Sequence, residues 1–377
     1  LAVILLAFVG RMAWKAWRSH RANRKLLEGL APAPADDAPK EDPEVATLRA
    51  RFREAVGMLK EMQRTDQKRR TLSGWLRALT PGSHLYELPW YAFIGPPGSG
   101  KTTALLNSGL RFPLADKLGQ PKVQGVGGTR NCDWWFTDEA VLIDTAGRYT
   151  TQDSNRETDA AAWQGFLSLL RKHRPRCPLN GVIVTVSVPD LLGPSLAARE
   201  AEADAIRSRV QELQSSFGIT LPIYVLVTKA DLMAGFAEFF ADLGKEERAQ
   251  VWGYTAPVQA AVETPAALVQ FGAELDALEK RLHDRLIDRL QHERDPQRRA
   301  LIYSFPQQFA ALREPLHSLL QAAFSPSRFS GAAHLRGVYL TSGTQEGSPL
   351  DRALGNMARA MGLAQKLLPS QKSTGRS

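Results

Sequence analysis

Cysteine is nearly missing. Cys132 and Cys177 are the two in 377 residues, they lie far apart, and no C-x-x-C pair occurs. Neither a disulfide framework nor a structural zinc site is supported, and a reducing compartment is the simpler setting. Long hydrophobic runs are missing too, except at the start. Leu1–Gly10, "LAVILLAFVG", is apolar almost throughout, but a spanning helix takes about 20 such residues. No initiator methionine precedes it, so it reads as the end of a span whose first half lies upstream. A signal peptide fits poorly, because the charges follow the apolar run and no small-residue cleavage site appears. No internal repeat occurs. With 44% hydrophobic and 23% charged residues, the rest has the composition of a soluble core.

What is present begins with charge. The formal net charge is +9. Arg11, Lys15, Arg18, Arg21, Arg24 and Lys25 follow the apolar run at once, and Lys/Arg beside a span marks its cytoplasmic side. The basic excess sits beside the membrane without an RNA-binding aromatic signature, so anchoring is the reading and nucleic acid is not.

Along the chain, residues 1–30 are expected to be a truncated transmembrane end with a basic juxtamembrane segment, and 31–44, "APAPADDAPKEDPE", a linker too polar and Pro-broken to pack. Residues 45–84 form an N-terminal helical segment. Val45, Leu48, Phe52, Ala55, Leu59 and Met62 share one helical face, fit for docking on the main domain, with a coiled-coil partner as the lesser alternative. Residues 85–235 form the core. "WYAFIG", "NCDWWF", "AVLIDT", "GVIVTVSV" and "IYVLVT" read as strands, and the short Thr137–Glu139 connection makes the second and third an antiparallel hairpin. Residues 236–330 form a helical subdomain with no legible strand, carrying stripes at Leu268–Leu290 and Phe305–Leu320. Residues 331–368 supply a final strand, "GVYLTS", and a final helix from Arg352, and 369–377 a disordered tail. The fold class is α/β: a P-loop NTPase of GTPase-like type, its sheet mostly parallel with one antiparallel hairpin strand, plus the helical subdomain.

Three short motifs carry chemistry. Gly95, Pro96, Pro97, Gly98, Ser99, Gly100, Lys101 and Thr102, followed by Thr103, match G-x-x-x-x-G-K-S/T between a strand and a helix. Such a loop turns backbone N–H groups toward a phosphate; Lys101 would reach the β- and γ-phosphates and the Thr102 hydroxyl Mg²⁺. "VLIDTAGRY" places Asp144 at a strand end as a carboxylate for Mg²⁺, and Gly147 as an N–H donor to the γ-phosphate. Thr228, Lys229 and Asp231, in "TKAD", match N/T-K-x-D. There the Asp231 carboxylate would accept N1–H and N2–H₂ of guanine, with the Lys229 stem over the base; an Asp capping a helix fits the same residues. Thr129, in the Gly-rich "GVGGTR", is either a switch threonine closing on Mg²⁺ or part of a plain flexible turn. "TSGTQEG", Thr341–Gly347, is either a loop facing the base or a surface turn. Arg148 stands where many GTPases keep a water-orienting Gln. Its guanidinium cannot act as a base but can stabilise transition-state charge or contact a partner, so hydrolysis is expected to be slow. The candidate catalytic set is Lys101, Asp144, Arg148 and Thr129, the metal set Thr102, Asp144 and Thr129, and the cofactors Mg²⁺ with GTP or ATP.

The chain resembles the TssM (IcmF) family of the type VI secretion membrane complex. The strings that carry the resemblance are "ELPWYAFIGPPGSGKTTALLNSGLRFPL", "GVGGTRNCDWWFTDEAVLIDTAGRY", "AAWQGFLSLLRKHRPRCPLNGVIVTVSV" and "LRGVYLTSGTQEG", between about Leu85 and Gly347. The resemblance implies an oligomeric inner-membrane scaffold with two spans before this region, a third after it and a large periplasmic part beyond. This region would face the cytoplasm. The implied partners are TssL and baseplate components, with TssJ meeting the periplasmic part. Walker residues vary in the family, and its members have been linked to ATP, which sits awkwardly with Asp231. A scaffold whose site is unused is the alternative. A signal-recognition-type GTPase shares D-T-A-G-R and T-K-x-D, but the hairpin argues against it. A hexameric motor would want a sensor and an arginine finger, and neither has a candidate here.

Overall fold

The computed structural model describes residues 43–67, 83–112, 132–151, 156–193, 195–257, 265–326 and 333–343. The expected membrane end, the expected linker up to residue 42, the Thr129 loop, the final helix and the tail lie outside the described residues, while Pro43 and Glu44, expected to end the linker, already belong to the first helix.

Helix α1 (Pro43–Gln67) comes first, then β1 (Trp90–Ile94), the phosphate-loop stretch and α2 (Lys101–Leu106). The hairpin β2 (Cys132–Phe136) and β3 (Val141–Thr145) follows, then α3 (Gly147–Thr151), α4 (Arg156–His173) and β4 (Gly181–Ser187). Next are α5 (Val188–Leu192), α6 (Leu196–Phe217) and β5 (Pro222–Thr228). The second half holds α7 (Phe236–Phe239), α8 (Lys245–Arg248), β6 (Trp252–Thr255), α9 (Ala266–His292), α10 (Pro296–Ala310), α11 (Arg313–Phe324) and β7 (His334–Leu340).

One seven-stranded sheet organises them, in the order β2-β3-β1-β4-β5-β7-β6. The five inner strands are parallel, and each edge ends on an antiparallel strand: β2 on β3, β6 on β7. The hairpin is as expected. Its turn is closed by Thr137, whose Oγ1 accepts from Ala140 N–H at 2.9 Å. The antiparallel β6 corrects the expectation that no strand lies between Phe236 and Phe324. Trp252–Thr255 is too short and too exposed to carry alternation, and it is a strand because β7 pairs with it.

The inner strands are buried on both faces, which is why they read as near-continuous β-branched and aromatic runs. One face carries the main core, where Trp90, Trp134, Val184 and Val225 meet α1, α4, α6 and α11. The other carries a smaller cluster of Phe93, Leu105, Trp135 and Leu142 beneath α2. Helix α1 docks as its stripe predicts: Leu48, Phe52 and Ala55 are buried, and the Phe52 ring meets Trp134 edge-on at 5.3 Å. Side chains beyond Gly57 on α1 lie outside the described residues. The second stripe is two helices. Phe305 and Phe309 belong to α10, Leu316 and Leu320 to α11, and all four are buried. Pro315 explains the break: with no N–H and a ring that collides with the preceding turn, it sits best in a first helical turn.

Candidate functional site

The phosphate-loop stretch leaves the C-terminal end of β1, between β3 and β4 in the parallel part of the sheet, and enters α2. Gly100 sits in the left-handed region at φ 85°, directly before α2. A β-carbon there would also lie 3.3 Å from the Thr228 hydroxyl. Among the described residues, no hydrogen bond uses the backbone N–H of Gly98, Gly100 or Lys101. Gly95 N–H does have a partner, the Thr150 hydroxyl at 3.0 Å. Three open amides at the start of a helix fit an anion.

Lys101 is 6% exposed. Its Nζ donates to the carbonyls of Gly95 (2.8 Å) and Pro96 (2.9 Å), with Ser99 Oγ at 3.4 Å. Burial pulls its pKa down to about 8, opposed by the Asp144 carboxylate. A buried ammonium held by neutral carbonyls gains when an anion arrives. Ser99 Oγ is fixed by Thr185 Oγ1 at 2.8 Å.

Asp144, one residue before the end of β3, is fully buried, and the Thr102 hydroxyl donates to its Oδ2. The hairpin register sets Asp133 opposite Asp144. Like charges directly across two strands repel. Arg51 of α1 answers Asp133 at 2.8 Å, and a cation beside Thr102 would answer Asp144. A hydroxyl next to a buried carboxylate is a hard-oxygen donor set that suits Mg²⁺. Gly147 opens α3 against the loop, where a β-carbon would overlap the backbone of Pro96 and Pro97. Thr103 is exposed in the first turn of α2.

The third motif is stitched to the first. Thr228 Oγ1 donates to Ser99 O at 2.5 Å, with Val186 O at 3.2 Å. Lys229 is in the left-handed region at φ 58°. Asp231 is 4% exposed, and its Oδ1 accepts from Ser342 Oγ at 2.8 Å. Its Oδ2 has no hydrogen-bond partner among the described residues. Ala230 N–H donates to Thr341 O at 3.0 Å. The start of "TSGTQEG" therefore lies beside Asp231, and the remainder lies outside the described residues.

The structure thus brings Gly95–Thr102, Asp144, Gly147, Thr228 and Asp231 to one end of the sheet. Arg148 points away from the loop. It forms ion pairs with Asp159 of α4 and with Glu44 of α1, the latter at 2.9 Å. Sequence reasoning missed Thr150, Thr185, Ser342, Asp159 and Glu44. Ser342 lay in a stretch already singled out. The others carry no local signal, because their partners are distant in the chain.

The family model of the IcmF-related N-terminal domain matches residues 156–377. The chain belongs to the IcmF-related family. It is 53% identical over 354 residues to the type VI secretion system component TssM1 of Pseudomonas aeruginosa. That alignment takes in 94% of this chain but only 31% of the relative's length. Three solved structures are distantly similar. The signal recognition particle receptor SRb-GDP-Mg of Chaetomium thermophilum has a TM-score of 0.27 at 16% identity, covering 73% of this chain and 98% of the other. The SRb-GTP/SRX complex of the same organism has 0.25 at 21%, covering 38% and 70%. A GDP-bound mutant of S. thermophilus NFeoB has 0.26 at 13%, covering 62% and 99%. Likenesses this distant add nothing to what the sheet order already establishes. Among the described residues, no helix is long and apolar enough to cross a membrane.

Proposed function

We propose that this chain is the nucleotide-binding region of an inner-membrane scaffold of a type VI secretion system, facing the cytoplasm and switched by Mg²⁺-nucleoside triphosphate. The observation that carries this is the cradle. The N–H groups of Gly98, Gly100 and Lys101 are open, and Thr102 lies against Asp144 at the same end of the sheet. Gly98, Ser99, Gly100 and Lys101 would hold the phosphates, Thr102 and Asp144 the metal. The metal would neutralise phosphate charge. Gly147 would sense the γ-phosphate, and Thr129 would close on the metal if its loop is a switch. Arg148, in the position after Gly147, is paired with Asp159 and Glu44 instead of facing the cradle, which supports slow turnover. TssL and the baseplate components would read the loaded state, and TssJ would meet the periplasmic part of the whole protein.

Asp231 favours guanine. Buried, with one oxygen held by Ser342, it offers a fixed acceptor that adenine cannot satisfy. Competition of GTP against ATP on the Mg²⁺-loaded chain tests this. GTP should win by about tenfold or more, and Asp231→Asn should erase the preference. An ATP preference that ignores the substitution would reject the guanine reading.

A second reading, a scaffold with an unused site, has its own observation. Lys101 is tied to the loop's own carbonyls and Gly147 lies against Pro96 and Pro97, so the loop satisfies its lysine without a phosphate.

A further inference from the structure

Arg148 follows the glycine that faces the phosphate loop, yet it serves a helix that begins more than a hundred residues earlier. Its two carboxylate partners are unequal. Asp159 is completely buried, whereas the Glu44 side chain is 29% exposed in the first turn of α1. Separating Arg148 from Asp159 would strand a buried charge, which is costly. Separating it from Glu44 parts two partly exposed side chains that water already reaches, which is cheap. Of the two contacts, the one to α1 is the one that can break.

Helix α3, which carries Arg148, is pinned to the phosphate loop. Gly147 abuts Pro96 and Pro97, and the Thr150 hydroxyl accepts from Gly95 N–H. On its far side the Tyr149 carbonyl accepts from Arg209 at 3.3 Å. A phosphate that enters between Gly147 and the loop must part them, and α3 moves with Gly147.

We propose that the first turn of α1 and the phosphate cradle are coupled through Arg148, so that triphosphate loading and docking of that turn oppose each other. This rests on the nucleotide reading of the cradle and adds its regulation. Arg148 stays with Asp159 as α3 shifts, its pair with Glu44 opens, and the first turn of α1 is held less firmly. Further along α1, Phe52 and Arg51 keep the helix seated on β2.

Coupling of this kind is reciprocal. Weakening the α1 contact must tighten triphosphate binding by the same factor that triphosphate weakens the contact. The test uses the full chain with Mg²⁺ and either GTPγS or GDP. Affinities are measured for the native protein, Glu44→Ala and Glu54→Ala. Glu54 is an exposed α1 carboxylate about 15 Å further along the helix. Glu44→Ala should bind GTPγS about fivefold more tightly with GDP affinity unchanged, and Glu54→Ala should match native. Amide hydrogen exchange at residues 43–50 of the native chain should speed up with GTPγS and not with GDP. Native binding of GTPγS with no gain in Glu44→Ala and no change in exchange would overturn the coupling and leave the cradle standing. An equal gain in Glu54→Ala would also overturn it, as a general charge effect. Failure of the native chain to bind either nucleotide would reject the cradle and the coupling together.

Discussion

The sheet ends on an antiparallel strand at both edges, and the two edges are packed by different means. At the β6 edge, Phe236, Phe239, Phe240, Trp252, Phe305 and Phe309 pack ring on ring, the Arg285–Asp242 pair nearby is partly exposed, and a buried cation among them, Arg289, is held by the carbonyls of Glu238 and Phe239. At the β2 edge there are aromatic side chains too, Phe52, Trp90 and Trp134, but charges are threaded through them. Arg51 meets Asp133, and Arg148 meets Asp159 and Glu44. Apolar contacts are indifferent to what occupies a phosphate loop, whereas charges connected to that loop are not. The β6 edge is therefore a buttress, and the β2 edge is the side that can report on the site.

The largest expected effect would separate the two edges. Phe305 is fully buried, with ring centroids of Phe239 and Phe240 at 5.0 and 5.4 Å. Phe305→Ala should cost about 3–5 kcal/mol in denaturant unfolding, while the folded fraction keeps native nucleotide affinity. Affinity that falls along with stability would break the distinction.

A smaller effect is expected between the edges, on α6. Burial, reinforced by Asp190, raises the Glu202 carboxyl from its ordinary 4.5 to about 7. The folded state thus holds a proton more tightly than the unfolded one. This group's contribution is most favourable below about pH 4.5 and is lost as pH rises through about 7. Glu202→Gln should stabilise the chain by on the order of 2 kcal/mol at pH 8 and change nothing near pH 4.5. A gain that does not vary with pH would assign it to packing.

The finest test sets one ion pair against another. Asp133 is nearly buried, so Arg51→Ala should cost about 1–2 kcal/mol. Arg285 and Asp242 are about a third exposed, so Arg285→Ala should cost below about 0.5 kcal/mol. Equal costs would mean that the charges at the β2 edge are as screened as those at the other.

The sequence shows the site more clearly than its surroundings, for a physical reason. Phosphate cradles need glycines and a lysine at fixed offsets, so Gly95–Thr102 is legible in eight residues. Asp144, Thr228 and Asp231 sit at ends of strands whose two-sided burial makes them apolar runs. Strand β6 was not legible, because four residues with Gly253 among them show no alternation and depend on β7. Nor were the partners of Arg148. Glu44 and Asp159 are ordinary surface-type residues until the fold brings α1 and α4 together over α3. Pro315 marks the break between α10 and α11, but the apolar stripe running across it conceals that break.

Isothermal titration of the full chain with Mg²⁺-GTPγS tests the cradle most directly, with Lys101→Ala alongside. One site per chain is expected, with affinity reduced about tenfold or more in Lys101→Ala and its unfolding temperature not lowered. No measurable heat from the native chain, or equal affinity in the variant, would contradict the claim that these amides and this lysine grip a triphosphate.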